Sequence, residues 1–325
     1  MKKWIFVLFL CLVGYGWYAV SSVGSVVVRK GQVSIDAGTV FLDLGTSLKL
    51  GVSDWRLKAY RKYYAPEFEL KSGTFTIAED MSFAQALETS LKKPTHTDLT
   101  FMILPGWSSF DIDPYLAQKK FIKPGELIQA KPTQFPKLIK KYPFLEGKTS
   151  FEGFLYPDTY RIRPSADLEE FLDTLLGIFD ERIYAKLTPA QQKILYSTLI
   201  LASIVEREER NPDEKAVVAG VLTERLRIRM MLGADATLCY ALELSSKTCT
   251  PSKIVDGLDS ESPYNTRKVA GLPPTPISNP SRETWLATLF PKKSEALYYL
   301  HDPEGGIHYA NTNEEHNANK RKYLK

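Results

Sequence analysis

The stretch from Ile194 to Val205 constrains this chain more than any other part of its sequence. It reads ILYSTLILASIV and carries no charged residue, which is typical of a helix buried on nearly all sides. A helix of that kind needs a surrounding domain to cover it. The chain has 325 residues, of which 44% are hydrophobic, so it is long and apolar enough to form two domains with cores.

Helix signals precede this stretch and a carboxyl group ends it. Thr188 occupies an N-cap position, Pro189 the first helical position, and Gln191 completes a capping box. Glu206 follows Val205 directly. A half-desolvated carboxyl at the mouth of a core helix favours its protonated form, and a protonated carboxyl is the acid that glycosidic bond cleavage requires.

A solvated helix end is the alternative interpretation of the same residues. Glu206, Glu208 and Glu209 stand together where the helix should end, and negative charge there opposes the helix dipole. Arg207 and Arg210 are the adjacent cations that could compensate it. The residues alone leave the two interpretations evenly balanced, and their spacing does not distinguish Glu206 from its neighbours.

The N-terminal residues are typical of a membrane anchor. The run from Trp4 to Val20 has no charge and follows Lys2 and Lys3, which is the order of a positive-inside signal anchor. Its length is at the short edge of the roughly 17 to 25 residues that span a bilayer. We expect a retained single-pass anchor in the inner membrane, with the rest of the chain periplasmic. A signal peptide cleaved near Ser21 is the alternative.

Cysteine, histidine and charge exclude several classes of function. Cys11 lies within the apolar run, whereas Cys239 and Cys249 would lie in an oxidising compartment, where they either pair or remain two buried thiols. The histidines, His96 among them, have no metal-ligand spacing, so neither a metal nor another cofactor is expected. The net charge of +4 is spread along the chain, which does not favour nucleic acid as a partner.

The distribution of apolar residues predicts an α+β protein in four segments. Residues 1–25 comprise the cytoplasmic tip, the anchor and a tether, and residues 26–78 a small β-α-α-β module. Residues 79–150 form a connecting α/β segment, and residues 151–325 a domain of mixed helices and short strands.

Finer patterns predict individual elements within these segments. The apolar spacing predicts helices over Gly38 to Val52 and over Asp54 to Tyr64. Frequent prolines between Lys119 and Lys148 indicate a loop-rich junction. Beyond Leu238 we expect short strands and turns, including a hairpin over residues 298–310.

Several short strings, taken in order, resemble the YceG-like endolytic murein transglycosylase family. They extend over essentially the whole chain. The matching strings are EGFLYPDTY (152–160), LASIVE (201–206), RL (225–226), DAT (235–237), SPYNT (262–266), GLPP (271–274), ISNP (277–280), GG (305–306) and EHN (315–317).

The resemblance implies a catalytic residue and a reaction. The family's catalytic glutamate occupies the last position of the LASIVE string, which is Glu206. Tyr264, Asn265 and Thr266, which precede the proline-stiffened GLPP string, form either a rigid connector or the wall of a sugar site, and we expect them to bind substrate. Asp235 is a further candidate, which either stabilises an oxocarbenium-like transition state or is a structural cap. The implied activity is endolytic cleavage of the MurNAc-GlcNAc bond in nascent peptidoglycan strands, with formation of 1,6-anhydro-MurNAc ends.

The resemblance also implies a binding module and partners. The segment at residues 26–78 resembles the family's LysM-like subdomain. The implied partners are peptidoglycan glycan strands, penicillin-binding synthases, and the membrane through residues 4–20. Two alternatives to this activity stay open: a non-catalytic, membrane-anchored scaffold that binds peptidoglycan, and a hydrolase that uses water and leaves reducing ends.

Overall fold

The computed structural model of the chain is an α+β protein that divides into two compact units. It describes residues 2–35, 39–95 and 98–324, with the side chains of residues 2–10 and 12 outside that description. The first unit is Met1–Thr100 with Arg161–Ala166, and the second is Phe101–Tyr160 with Asp167–Lys325. Gly38 and His96, which entered the predictions above, lie outside the described residues.

Helices alternate with short strands in the first part of the chain. The elements are α1 (Lys2–Ser21), β1 (Val27–Val28), β2 (Gly31–Ile35), α2 (Leu44–Ser47), α3 (Asp54–Tyr64), β3 (Gly73–Ile77), β4 (Met81–Ser82), α4 (Phe83–Glu88) and β5 (Leu99–Met102). Strand β1 pairs with β4, and β2 pairs antiparallel with β3 from Gly31 opposite Ile77 to Ile35 opposite Gly73. The core of this unit is built around Leu57, Phe75 and Phe83.

The expected order of strand, two helices and strand is present in this unit, but one predicted helix is much shorter. A helix was expected over Gly38 to Val52, whereas α2 is a single turn preceded by a 3-10 turn at Phe41–Asp43. Lys49 adopts a φ of 51°, a left-handed conformation that ends the helix. The apolar spacing did not reveal this break.

The N-terminal helix α1 covers the residues predicted as an anchor. Within the part of the chain that the structure describes, no helix is both long and apolar enough to cross a membrane. The anchor over Trp4 to Val20 stays a prediction.

The second unit is mainly helical. Its elements are α5 (Ser109–Gln118), α6 (Glu126–Gln129), α7 (Pro136–Lys141), β6 (Thr159–Ile162), α8 (Leu168–Arg182), α9 (Pro189–Glu208), α10 (Pro212–Arg227), α11 (Asp235–Ala241), α12 (Pro251–Gly257), α13 (Arg282–Leu289), β7 (Tyr298–His301), β8 (Ile307–Ala310) and α14 (Asn313–Tyr323). Within this unit, strand β7 pairs with β8.

The central helix α9 confirms most of its prediction. The capping box between Thr188 and Gln191 is present, with Pro189 in the first turn. Burial is less complete than expected, because Ile194 is 48% exposed and continuous burial begins at Leu199. From there to Val205 the helix packs against α10 and α13, so only its second half is a core helix.

Two regions contain more helix than the sequence indicated. The junction from Lys119 to Lys148 includes α6 and α7, and the region beyond Leu238 includes α12, α13 and α14. Each of the last three helices begins at a hydroxyl N-cap, namely Thr250, Ser281 and Thr312, whose oxygen accepts a backbone N–H three residues later. Helices form at these N-cap residues although the apolar periodicity of the segments is weak, and the prediction had relied on that periodicity. The hairpin over residues 298–310 is confirmed, with Tyr298 opposite Ala310.

A disulfide joins Cys239 to Cys249. The two Cα atoms are 5.6 Å apart, and the bridge ties α11 to the segment that precedes α12. Residue spacing had left open whether these cysteines pair.

Candidate active site

Glu206 lies in the last turn of α9, and its carboxylate is held by three donors. The side chain is 7% exposed. Lys215 Nζ lies 3.0 Å from Oε1, whereas the backbone N–H and the hydroxyl of Ser281 donate to Oε2 over 2.7 and 2.8 Å. Contacts to both oxygens fix the plane of the carboxyl group.

The partners of Glu206 are fixed in turn by their own helices. Lys215 lies in the first turn of α10, is itself buried, and donates to Thr284 Oγ1 over 2.7 Å. Ser281 is the N-cap of α13, and its hydroxyl accepts the backbone N–H of Thr284 over 3.2 Å. The ends of α9, α10 and α13 therefore meet around one carboxylate.

A glycine turn lies beside the Glu206 side chain. Gly106 has a φ of 80°, and a Cβ atom there would lie 3.6 Å from Glu206 Cγ and 3.4 Å from Arg207 Cδ. Arg207 donates to the Gly106 carbonyl over 3.3 Å. The space would admit a Cβ atom, so the left-handed φ is what favours glycine at this position.

The ISNP string, residues 277–280, runs beside the end of α9. The backbone N–H of Ile277 donates to Ser203 Oγ over 3.0 Å, and the hydroxyl of Ser278 donates to the Ser203 carbonyl over 2.9 Å. Ser281 follows directly and binds Glu206. The tertiary structure thus brings together two strings that are far apart in the sequence.

Glu152, the first residue of the EGFLYPDTY string, is a second carboxyl of this unit and is fully buried. Burial raises the pKa of Glu152 to about 7. Its oxygens accept hydrogen bonds from Ser109, from Asn279 and, at 3.4 Å, from Tyr240. The carboxyl is sealed from solvent and cannot contact a bound ligand.

Glu208 and Glu209 are not on a solvated helix end, and that interpretation was wrong for both. Glu208 accepts the Tyr299 hydroxyl over 2.9 Å, and burial raises the pKa of Glu208. Glu209 is 4% exposed and is hydrogen bonded to His301 Nε2 over 2.9 Å. Both partners belong to β7, so the hairpin covers this side of α9, which no local pattern in the sequence revealed.

The structure places the predicted substrate residues 264–266 in one loop. Asn265 and Thr266 are buried. Asn265 donates to the carbonyls of Leu258 and Ser260, and Thr266 Oγ1 lies 2.8 Å from Thr237 Oγ1. These contacts shape the loop.

Tyr264 is half-buried in the same loop. Its hydroxyl lies 2.9 Å from Thr275 Oγ1, and burial raises its pKa. The substrate-binding role of residues 264–266 stays a prediction.

Asp235 is the first residue of α11 and forms an ion pair with Arg267. The N-cap of α11 is Ala234, so the Asp235 side chain does not cap the helix. About half of that side chain is exposed. Its role toward substrate also stays a prediction.

Sequence reasoning missed Lys215, Ser281 and Gly106. One signal was available for Lys215, because it lies at helical spacing from Val218 and Leu222 on the buried face of α10, where a lysine needs an acidic partner. Ser281 had the form of an N-cap after the ISNP string. Neither signal identifies Glu206 as the group these residues contact.

The described residues contain no group of three or more His, Cys, Asp or Glu side chains arranged to hold a metal ion. The side chains that do surround Glu206, a buried lysine and the serine N-cap of a helix, suit proton transfer by a carboxyl group.

Comparison with known proteins gives matches along most of the chain. The model of the YceG-like family matches residues 33–322. An endolytic murein transglycosylase of Streptococcus pneumoniae serotype 2 is 25% identical over 319 residues, which is 90% of this chain and 58% of that protein. An endolytic murein transglycosylase of Bacillus subtilis is 30% identical over 195 residues, 59% of this chain and 53% of that protein. The chain thus spans little more than half the length of these curated relatives.

A solved structure gives a similar result. The crystal structure of a yceG-like protein from Listeria monocytogenes superimposes with a TM-score of 0.60 at 28% sequence identity. The match covers 89% of this chain and 98% of the other.

Proposed function

The chain belongs to the YceG-like family, and from this premise we propose that it is an endolytic lytic transglycosylase. It cleaves the MurNAc-GlcNAc bond within nascent peptidoglycan strands and leaves 1,6-anhydro-MurNAc ends. The observation that carries the proposal is the Glu206 carboxylate, held by Lys215 and Ser281 at the end of a core helix. Relatives named endolytic murein transglycosylase support it.

The surroundings of Glu206 favour a mechanism that uses one carboxyl group. Most glycosidases need two carboxylates, one as acid and one as nucleophile or base. Glu152 is sealed from solvent, and Glu208 and Glu209 are bound by the β7–β8 hairpin. A single group that serves first as acid and then as base matches this arrangement.

The reaction proceeds by two proton transfers at Glu206. The protonated carboxyl gives its proton to the oxygen that leaves the muramic acid anomeric carbon, and the bond between them breaks. The carboxylate then takes the proton of that sugar's own 6-hydroxyl, whose oxygen bonds to the anomeric carbon and closes the anhydro ring. Water is not consumed, and the internal hydroxyl has the advantage of proximity.

The two carboxylate oxygens of Glu206 have different numbers of hydrogen-bond donors, and we assign them different roles. Ser281 provides two donors to Oε2, whereas Lys215 is the one donor to Oε1 among the described residues. A carboxylate oxygen has room for a further hydrogen bond beyond one, so Oε1 is the atom that exchanges protons with the sugar. Lys215 stabilises the negative charge that Glu206 carries between the two transfers.

Product analysis tests the proposed activity. Purified glycan strands are incubated with the protein, and their ends are identified by mass spectrometry. Internal cleavage with anhydro ends, lighter than reducing ends by one water molecule, is expected. Reducing ends would identify a hydrolase, and strands that bind but stay intact would identify a scaffold.

The membrane location is a proposal in its own right. The charge-free run from Trp4 to Val20 after Lys2 and Lys3 supports a retained single-pass anchor with the catalytic unit in the periplasm. The bridge between Cys239 and Cys249 supports the same side, because disulfides persist in oxidising compartments. Recovery of the protein in the soluble fraction, with a new N-terminus near Ser21, would contradict it.

The N-terminal module is proposed to be LysM-like and to hold the glycan strand. Support comes from the order of β2, α2, α3 and β3 and from the antiparallel pairing of β2 with β3. Penicillin-binding synthases are proposed as partners on the family resemblance alone. Cosedimentation with insoluble peptidoglycan tests whether the module holds glycan. Crosslinking in membranes tests whether the synthases are partners.

A further inference from the structure

Glu152 is a buried carboxyl that the proposed mechanism does not use. Its Oε2 atom accepts the backbone N–H of Ser109 over 2.8 Å and the Ser109 hydroxyl over 2.7 Å. Its Oε1 atom accepts the side-chain amide of Asn279 over 2.9 Å. A carboxyl group is costly to bury, so its retention among these donors calls for a role.

Asn279 has one possible orientation. Its Oδ1 atom accepts the backbone N–H of Leu155 over 2.9 Å, and its amide donates to the Trp107 carbonyl over 3.0 Å as well as to Glu152. Rotation of the amide by half a turn would bring its NH₂ group against the N–H of Leu155 and its oxygen against the Glu152 carboxyl. Glu152 therefore helps to fix both the direction and the position of this side chain.

The backbone of Asn279 is connected to two residues that lie against Glu206. Its carbonyl accepts the N–H of Gly106 over 2.9 Å, and Gly106 packs against the Glu206 side chain. Two residues further along the chain, Ser281 donates twice to Glu206 Oε2. The single residue between them is Pro280, whose ring restricts the backbone, so a shift of Asn279 is transmitted to Ser281.

We propose that Glu152 is a positioning residue for Glu206, acting through Asn279 to set Ser281 and Gly106 against the catalytic carboxyl. Glu152 itself does not touch the substrate, because it has no exposed surface. The inference rests on the proposed function, in which Glu206 is the acid and base.

Replacement of Glu152 by glutamine keeps the size of the side chain but breaks this arrangement. The N–H of Ser109 and the amide of Asn279 are both obligate donors, one at each oxygen. Glutamine has one acceptor and one donor end, so in either orientation its NH₂ group faces a donor. Asn279 or Ser109 must then move.

The test measures kcat and KM for strand cleavage by the full chain with Glu152→Gln. A misplacement on the order of 1 Å can lower a rate by about a hundredfold, so we expect kcat to fall by about ten- to a hundredfold. KM should stay within about twofold, because substrate contacts are untouched. Glu146→Gln, at an exposed site in the same region, is the matched control and should keep the parent kcat. A parent-like kcat for Glu152→Gln, or a loss confined to KM, would overturn the proposal.

A second variant, Ser109→Ala, tests the proposal if Glu152→Gln does not fold. Ser109→Ala removes the shortest of the three hydrogen bonds to Oε2 and leaves the backbone N–H of residue 109 and the Tyr240 hydroxyl in place. We expect a folded protein whose kcat is about two- to tenfold lower, with KM unchanged. A folded Ser109→Ala variant with the parent kcat would show that Glu152 serves the fold alone.

The outcome for Glu206→Gln separates this inference from the proposed function. If that variant retains activity, the proposed function fails. If it is inactive while folded Glu152→Gln matches the parent, only the positioning role fails.

Discussion

The last turn of α9 presents carboxylates to two regions that use them differently. On one side, Glu206 faces α10 and α13, and its partners are an amine and a helix N-cap. On the other side, Glu208 and Glu209 face the β7–β8 hairpin, and their partners are Tyr299 and His301. All three side chains are largely withdrawn from water, so burial does not distinguish them.

The difference lies in the partners. Glu206 meets three helix ends, where a fixed carboxylate keeps acceptor capacity at Oε1. Glu208 and Glu209 attach a hairpin to the helix, and their hydrogen bonds stabilise that attachment. Neighbouring residues of similar type thus have different partners according to what packs against each side of the helix, and in the proposed function only Glu206 is reactive.

The largest expected effect is loss of activity in Glu206→Gln. An amide cannot deliver and retrieve a proton, so strand cleavage should fall by at least about a hundredfold. Circular dichroism and glycan binding should stay close to those of the parent. The measurement is the rate of anhydro-end formation.

Controls for this variant come from both regions. Glu283→Gln, at an exposed position in the first turn of α13, should retain the parent rate. Glu208→Gln and Glu209→Gln should each keep more than about a tenth of it, because neither group transfers protons in the proposed reaction. Loss of cleavage confined to one of these two variants would transfer the catalytic role to that residue.

The second largest expected effect is a lower free energy of unfolding in Lys215→Met. This change leaves the Glu206 carboxylate buried without its cation, and breaking a buried ion pair costs about 3 to 5 kcal/mol. Denaturant unfolding should show this loss, and Lys253→Met at an exposed site should not. The double variant Glu206→Gln with Lys215→Met should regain part of the stability. A double variant no more stable than Lys215→Met alone would contradict a direct pair.

A pH effect on stability follows from Glu152. Folding raises its pKa from 4.5 to about 7. The folded state therefore binds this proton more tightly, and the stability so contributed is fully present below about pH 4.5 and is lost as the pH rises to about 7. Between about pH 5 and pH 8 the free energy of unfolding of the parent should fall relative to Glu152→Gln by on the order of 2 to 3 kcal/mol.

Comparison of the parent with Glu152→Gln isolates the pH dependence due to Glu152. Burial also raises the pKa of Glu208, but Glu208 is present in both proteins, so its contribution cancels. The measurement is denaturant unfolding of both proteins across the pH range. A difference in stability that does not change with pH would show that Glu152 does not titrate there.

The smallest effect is expected at the hairpin. Glu209→Gln weakens the contacts to His301 Nε2 and to the backbone N–H of Asn211, which should lower the free energy of unfolding by about 1 to 2 kcal/mol. Hydrogen exchange should increase in β7 and β8 and stay unchanged at Ser281. Faster exchange at Ser281 with an unchanged hairpin would remove the distinction between the two regions.

The sequence by itself determined the elements whose signals are local. The capping box at Thr188, the hairpin over residues 298–310 and the β-α-α-β order of the first unit could all be predicted, because each depends on residues close together in the chain. It also showed which group of carboxylates to examine, since an apolar run followed by Glu206, Glu208 and Glu209 is visible without a structure, and the LASIVE string directed attention to Glu206. Helix α2 was overestimated because apolar spacing does not report the left-handed conformation at Lys49.

Only the tertiary structure decided what each carboxyl group contacts. Lys215 and Ser281 are separated from each other by more than sixty residues, yet both contact Glu206, and Glu152 reaches the same site through Asn279. Such contacts arise when helices pack, and the sequence near Glu206 contains no record of them. The sequence therefore predicts carboxylates at the end of a core helix, but the partners that give each of them a different environment are supplied by residues distant in sequence.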